Sequence, residues 1–394
     1  MLSQQSKDLV NASLPAVGPK VNEITAVFYP LMFERYPEVK AYFNQAHQAE
    51  GTQPRALANA VVAYATNLDR LEVLGDAVSL IVQKHVSLNI LPEHYPIVGE
   101  CLLAAIKEVL GDVATDEIIA AWAEAYQQLA DLLIGAEEQV YQQNEQCKGG
   151  WRGEREFVLR RKQVESDVIT SFYFEPADGG DICEYLPGQF ITIIVDVDGQ
   201  PMRRNYSLSD QPGNGYYRIS VKREPGGVVS NVLHDKLSEG DVVKLTPPAG
   251  SFTLNNEARP VVLLTGGVGI TPAMSMINPA LASGREVHFI HAAINGKHHA
   301  FKQYIDELAG QHDTLKVSYC YAKPEAGEQP HFEGMINRDL LNTLIPVDRN
   351  IDVYLLGPKG FMKATYAALT ELQVPVENIK YEFFGPLENL DSAA

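Results

Sequence analysis

"SLIVQKHVSLNILPEHYPIVGE" occupies residues 79–100. Val78, Ile81, Val82 and Leu88 recur at helical spacing, and His85 falls on the same face, four residues after Ile81 and three before Leu88. The spacing predicts a helix ending near Pro92 and a second starting near Pro96. A histidine on an apolar stripe needs partners for its ring nitrogens. Two readings stand open at this point: a core histidine bonded to a backbone carbonyl, or a metal ligand. His94, in the turn after Pro92 and off the stripe, reads as a surface residue.

The same helical texture extends over residues 1–147. "VNEITAVFYPLMFERY" puts Ile24, Val27, Phe28, Leu31 and Met32 on one face. Pro30 follows Tyr29 directly and removes one backbone hydrogen bond from that helix, so it is a site for a kink. "TQPRALANAVVAYATNL" has Thr52 as a candidate N-cap, and "YPIVGECLLAAIKEVLG" closes on Gly111. The long "TDEIIAAWAEAYQQLADLLIGAEEQVYQQNEQ" opens with a threonine cap and two acids, where the helix dipole favours them. This third is also distinct in charge. Residues 1–147 hold 19 Asp+Glu and 8 Lys+Arg, a balance of -11, against 31 and 24 in the remainder, a balance of -7.

Over all 394 residues the formal net charge is -18, which argues against nucleic acid or an anionic membrane as the main partner. The N-terminal residues carry no apolar signal core, and no apolar run is long enough for a transmembrane segment. A cytoplasmic location with no obligate protein partner is the expectation. The four cysteines, Cys101, Cys147, Cys183 and Cys320, are scattered without a CxxC pair. That spacing argues against a zinc site or a cysteine-held iron–sulfur cluster, and reduced structural thiols are expected.

At "CKGGWRG" (147–153) the texture changes to short strand patterns, "EFVLRRKQV", "VITSFYFEP", "QFITIIVDV", "YYRISVKRE" and "DVVKLTPPAG", separated by Gly/Pro/Asp turns. They predict an antiparallel β-barrel or sandwich. From about 257 the apolar strands "PVVLLTGG", "EVHFIHAA", "LKVSYCYA", "DVYLLGP" and "IKYEFFGP" alternate with helical segments, a rhythm that implies an α/β parallel sheet. The expected organisation is multidomain: an all-α domain over 1–147, a β-barrel over 148–256 and an α/β domain over 257–394.

Chemistry is most legible in the last of these. In "LLTGGVGITPAMSM" a strand, a glycine-rich turn and a helix follow one another, and Gly266, Gly267 and Gly269 let backbone N–H groups approach a phosphate at a helix start. Pro272 suits the first helical position. A second turn, "YLLGPKGFM", lies at another strand end, and two such turns are placed to flank one dinucleotide. Phe383 and Phe384 end the final strand; Phe384 is either core packing or the cover of a flat cofactor. In the barrel, "MRRNYSLSD" puts Arg204 and Tyr206 on one side of a strand, with Ser207 next, a set suited to phosphate and an aromatic ring. "REPGGVVSNVLHD" supplies another glycine turn, with Ser230 and Asn231 at a helix start. His298-His299 follows Gly296 at a helix start, lacks a third ligand nearby, and reads as solvated.

RxYS, GGxxSN, GGVGxTP and YExFGP in this order resemble the ferredoxin-reductase superfamily over residues 150–394, which implies FAD on the barrel and NADH or NADPH on the α/β domain. Leu356 stands where that family often has cysteine. The helical third resembles a globin, and the whole chain resembles the bacterial flavohaemoglobins. That resemblance implies a haem b held by His85 as metal ligand, with Tyr29, Gln53 and Leu57 around the bound O2 and Tyr95 and Glu137 behind His85. It implies cofactor contacts at Phe43, Lys84, Gln189, Arg204, Tyr206, Ser207, Gly227, Val229 and Ser230. Further ones fall at Gly266, Gly267, Val268, Gly269, Ile270, Thr271 and Pro272, and at Gly357, Phe383, Phe384 and Gly385. The activity it implies is nitric oxide dioxygenase, with electrons passing from NAD(P)H through FAD to haem and O2, and NO leaving as nitrate. Two rival functions are an O2 carrier or redox sensor whose reductase keeps iron ferrous, and a general haem reductase acting on peroxides.

Overall fold

The computed structural model describes residues 2–43 and 52–384, with the side chains of 52–56 outside that description. The chain divides into two compact units, one chiefly the residues up to Gln146 and the other chiefly Cys147–Val197 with Arg204–Phe384.

Among the described residues, the helices of the first unit are α1 (Gln4–Val17), α2 (Val21–Arg35), α3 (Thr52–Thr66), α4 (Gly75–Ser87), α5 (His94–Leu110) and α6 (Asp116–Gln146). α2 runs through Pro30 without interruption, and Pro30 faces solvent. Thr115 caps α6 by accepting from the Ile118 amide at 3.3 Å. Gly111 closes α5 with φ +54. α4 stops at Ser87, well before Pro92. Its end is set by Leu88, whose amide reaches the carbonyls of Lys84 at 3.2 Å and His85 at 3.1 Å, and by Asn89, which turns left-handed at φ 59. Asparagine tolerates that conformation better than most residues, so the chain turns there rather than at the proline. α5 likewise begins at His94, two residues ahead of Pro96.

Two apolar clusters build this unit. Ile24, Phe28, Tyr29 and Met32 of α2 pack with Val61 and Tyr64 of α3, Leu102 and Ile106 of α5 and Trp122 of α6. Val82 and Val86 of α4 pack separately with Tyr95 of α5 and Leu133 and Tyr141 of α6. Tyr126 and Leu129 touch both clusters.

The second unit holds two six-stranded sheets. The antiparallel one comprises β1 (Arg155–Val164), β2 (Ile169–Pro176), β3 (Phe190–Val197), β4 (Gln200–Ser207), β5 (Tyr217–Lys222) and β6 (Val242–Leu245), in the order β4-β3-β6-β1-β2-β5. Its two ends meet where Leu208 bridges Ile219 and the Ser209 amide donates to the Arg218 carbonyl at 2.8 Å, which closes it into a barrel. The helix α7 (Val228–Asp235) precedes β6.

The parallel sheet comprises β7 (Val261–Gly266), β8 (Val287–Ala293), β9 (Leu315–Tyr321), β10 (Phe332–Glu333), β11 (Asp352–Leu356) and β12 (Ile379–Tyr381), in the order β10-β9-β8-β7-β11-β12. Its helices are α8 (Ile270–Ala282), α9 (Lys302–Ala309), α10 (Arg338–Leu344) and α11 (Lys359–Glu371). The strand order reverses between β7 and β11, so a ligand crevice is expected beyond their carboxyl ends. Barrel residues Ile169 and Phe252 are buried in this sheet's core, and the Gly188 amide donates to Ser275 Oγ at 2.8 Å.

Two expectations are overturned here. Cys147 and Cys183 form a disulfide, Cα–Cα 6.3 Å, while Cys101 and Cys320 are buried free thiols. His299 is buried at 3 % exposure rather than solvated. Its Nδ1 lies 2.9 Å from the Tyr321 hydroxyl, and its ring centroid is 4.5 Å from that of His291. His298–His299 also sits in and after a 3-10 turn, Gly296–His298, and α9 starts only at Lys302.

Candidate functional site

α4 carries His85 against α6, whose Glu137 is 2 % exposed. His85 Nδ1 lies 2.7 Å from Glu137 Oε1 and 3.1 Å from the Tyr95 hydroxyl, and the Tyr95 hydroxyl donates to the same carboxylate oxygen at 2.5 Å. A carboxylate accepts only, so Nδ1 carries the proton toward it. None of the described hydrogen bonds uses Nε2, which leaves that nitrogen's lone pair for a metal ion. Burial, then the hydrogen bond to Glu137, pushes the Tyr95 phenol well up from its ordinary value, so it stays a donor. The two open readings of His85 therefore separate: its partner is a side-chain carboxylate, not a backbone carbonyl.

Tyr29 is 6 % exposed, with its ring 4.8 Å from Phe28 and 5.8 Å edge-on from Phe43. Phe43 and Leu57 pack against the same apolar cluster as Tyr29. The Gln53 side chain lies outside the described residues. Lys84 sits beside His85 on α4. His94 Nδ1 accepts from the Leu91 amide at 2.9 Å, a local turn bond that accounts for it without a ligand role.

In the barrel, Arg204, Tyr206 and Ser207 end β4, with Arg204 and Tyr206 on one face. Burial lowers the Arg204 guanidinium somewhat, and the neighbouring Tyr206 opposes that shift. Gln189 is held by backbone at both ends: Oε1 accepts from the Leu186 amide at 2.9 Å and Nε2 donates to the Gly250 carbonyl at 3.3 Å. Gly227 is the N-cap of α7, and a Cβ on it would sit 2.5 Å from Ser230 Oγ, which accepts from the Glu224 amide at 3.3 Å. Val229 points into the core.

At the carboxyl ends of β7 and β11 two turns touch. A Cβ on Gly269 would lie 2.5 Å from the Leu356 carbonyl oxygen and 2.7 Å from the Gly357 amide nitrogen; one on Gly357 would lie 2.6 Å from the Phe361 ring. A Cβ on Gly266 would lie 3.1 Å from the Phe361 ring and 3.2 Å from Pro358, and Gly267 has φ +54. The glycines thus let the two turns pack directly against each other at the point where the strand order reverses, where a ligand crevice is expected. Thr271 Oγ1 donates to the Val268 carbonyl at 3.0 Å, and Ile270 and Pro272 are buried. α8 starts at Ile270, so Pro272 is its third residue, still within the first turn, whose N–H groups have no intrahelical acceptor. Phe383 packs against Tyr381 at 5.9 Å, whereas Phe384 is 49 % exposed, which decides against core packing for it. Gly385 lies outside the described residues. Sequence reasoning missed Tyr126, Tyr141 and Gly99, which bear on the His85 corner through contacts between helices and carry no motif.

A helical unit with an imidazole backed by a buried carboxylate, a barrel with an Arg-Tyr-Ser strand end and a parallel sheet with paired glycine turns fit a globin joined to a flavin- and pyridine-nucleotide-type oxidoreductase. Family models described as globin, oxidoreductase FAD-binding domain and oxidoreductase NAD-binding domain match residues 26–133, 156–254 and 263–367. The chain is 53% identical over 392 residues to a flavohemoprotein of Pseudomonas putida, covering 99% of this chain and 100% of that one. It is 51% identical over 393 residues to a flavohemoprotein of Pseudomonas aeruginosa, covering 100% of both. A crystal structure of flavohemoglobin from Malassezia yamatoensis with bound FAD and heme aligns with TM-score 0.86 at 29% identity, over 98% of this chain and 100% of that one. The FAD/NAD-binding domain of a nitric oxide dioxygenase from Vibrio cholerae aligns with TM-score 0.55 at 38% identity, over 59% of this chain and 99% of that one. The chain belongs to the flavohaemoprotein family and is an oxidoreductase. Among the described residues no helix is long and apolar enough to cross a membrane.

Proposed function

We propose that this protein is an NAD(P)H- and O2-dependent nitric oxide dioxygenase that converts NO to nitrate, using haem b, FAD and NADH or NADPH. The observation that carries the reading is the buried Glu137 carboxylate, which takes hydrogen bonds from both His85 Nδ1 and the Tyr95 hydroxyl. An acceptor behind an imidazole raises the basicity of its other nitrogen, and electron density pushed to iron favours O2 activation over storage. An O2 carrier has little use for such a push. The nitric oxide dioxygenase of Vibrio cholerae supports the same reading through its reductase portion.

The residues present fit these groups. One protein nitrogen, His85 Nε2, suffices where a macrocycle supplies the other ligands. Phe43 and Leu57 offer an apolar surface to a flat ring, and Tyr29 brings a phenolic hydroxyl to the same cluster. Arg204 suits a phosphate and Tyr206 an aromatic ring, while the start of α7 at Gly227–Ser230 presents backbone amides to a diphosphate. The touching turns at Gly266–Gly269 and Leu356–Gly357 suit a second diphosphate. When bound, haem iron supplies the O2-reactive redox centre and FAD the exchange between a hydride and single electrons. The chain's share is to hold the donors, exclude water and fix the proton on His85 Nδ1.

The test is NADH oxidation and nitrate yield by haem- and FAD-replete protein given O2 and NO. Stoichiometric nitrate with NO-dependent NADH oxidation is expected. A stable oxygenated form that makes no nitrate would refute the proposal and favour the carrier.

A further inference from the structure

Glu137 shares one stripe of α6 with Tyr126, Ala130, Leu133 and Tyr141, at spacings of four, three, four and four residues. Two of these residues reach the corner between α4 and α5, which connects His85 to Tyr95. The Tyr126 hydroxyl donates to the Tyr95 carbonyl at 2.7 Å, and the Tyr141 hydroxyl donates to the Ile90 carbonyl at 2.7 Å. Otherwise the corner is held by short-range bonds of its own: Ile90 amide to His85 carbonyl at 2.9 Å, His94 amide to Leu91 carbonyl at 3.0 Å, and Tyr95 amide to Pro92 carbonyl at 3.3 Å. One helix therefore grips the corner near its start, at its end, and at the imidazole between the two grips in space. The approach of Tyr126 depends on glycine at position 99, where a Cβ would lie 2.6 Å from the Tyr126 Cε1 atom.

We infer that Tyr126 and Tyr141 are positioning residues for His85: by fixing the backbone at Tyr95 and Ile90 they set the hydrogen bonds among Glu137, Tyr95 and His85. The inference rests on the proposed role of His85 as iron ligand. The physical reason is the steep dependence of a hydrogen bond on distance and angle. The Tyr95 phenol is a long lever from its backbone, so a few tenths of an ångström at the Tyr95 carbonyl moves the hydroxyl off the Glu137 oxygen. With that hydroxyl displaced, Glu137 is free to shift relative to Nδ1, and the donor strength of Nε2 falls.

The experiment is resonance Raman spectroscopy of the ferrous, unliganded holoenzyme, with melting temperature measured alongside. The variants are Glu137→Gln, which replaces the carboxylate with an amide, and Tyr126→Phe, Tyr141→Phe and the double tyrosine variant, in which phenylalanine keeps the ring and removes the hydroxyl. The iron–histidine stretching band is expected to move to lower frequency in each tyrosine variant, part of the way to its place in Glu137→Gln, and further in the double variant. A band unmoved in the tyrosine variants but moved in Glu137→Gln overturns the inference alone, whatever the melting temperatures do. A band unmoved in Glu137→Gln as well overturns the reading of the Glu137–His85 pair on which it stands.

Discussion

Gly269→Ala tests where the nucleotide lies. The added Cβ would meet the Leu356 carbonyl oxygen at 2.5 Å, its carbon at 2.6 Å and the Gly357 nitrogen at 2.7 Å. All three are backbone atoms of the facing turn, so no side chain can rotate to make room. Ordinary contact begins at 3.4 Å, and the two turns must part by about 0.9 Å to reach it. Overpacking of this kind costs about 1–3 kcal/mol of stability. The functional cost is larger, because a misplacement of ~1 Å in a reacting pair lowers its rate by about 100-fold. Anaerobic stopped-flow mixing with NADH, read by the bleaching of flavin absorbance, should show that loss, while dithionite still reduces the flavin and FAD and haem contents stay at wild-type levels. Gly360→Ala serves as the control, since a Cβ there meets nothing within 4 Å. If Gly269→Ala, correctly folded and flavin-replete, accepted hydride at the wild-type rate, the crevice between β7 and β11 would not be the nucleotide site.

Four further outcomes are expected. His85→Ala should lose the haem absorption band or show it only with added imidazole, and a normal band in the purified variant would remove His85 as ligand. Tyr29→Phe should keep haem, lose most NO turnover and release O2 faster; unchanged rates would take Tyr29 out of the reaction. Arg204→Ala should lose FAD on gel filtration and keep its haem, as read by the ratio of flavin to haem absorbance. Burial, with a smaller push from Lys302, holds His299 down at about 3 from an ordinary 6.5. Its ring is neutral in the fold and takes a proton in the unfolded chain, so its contribution is full above pH 6.5 and is lost as pH falls toward 3. Between pH 6.5 and 5 the loss is ~2 kcal/mol. Denaturant unfolding of His299→Phe at both pH values should show a correspondingly shallower decline than wild type, and equal declines would contradict the burial argument.

What the sequence made legible follows from the range of the interactions involved. The face of α4 was readable because Ile81, Val82 and His85 lie within a turn or so of one another, and the glycine turns because a strand, a turn and a helix are consecutive. The end of α4 was misread because Pro92 is a louder signal than Asn89, although the left-handed turn at Asn89 acts first. The burial of His299 was illegible because Tyr319 and Tyr321, which enclose it, come from β9. The Cys147–Cys183 pair spans 36 residues and depends on the barrel bringing its two ends together. The same limit falls inside the candidate site. Tyr95 and Glu137 entered the reading through a resemblance, since nothing local ties positions 42 residues apart. Gly99 and Tyr126 had no motif to announce them, yet the missing Cβ at 99 is what admits the Tyr126 ring to the corner that carries His85. A glycine inside a helix costs about 1 kcal/mol relative to alanine. At Gly99, in the middle of α5, that cost goes with the close approach of Tyr126, which lies on the same stripe as Glu137, whereas a Cβ on Gly135 of α6 would meet nothing within 4 Å, so a glycine inside a helix does not by itself announce such a neighbour.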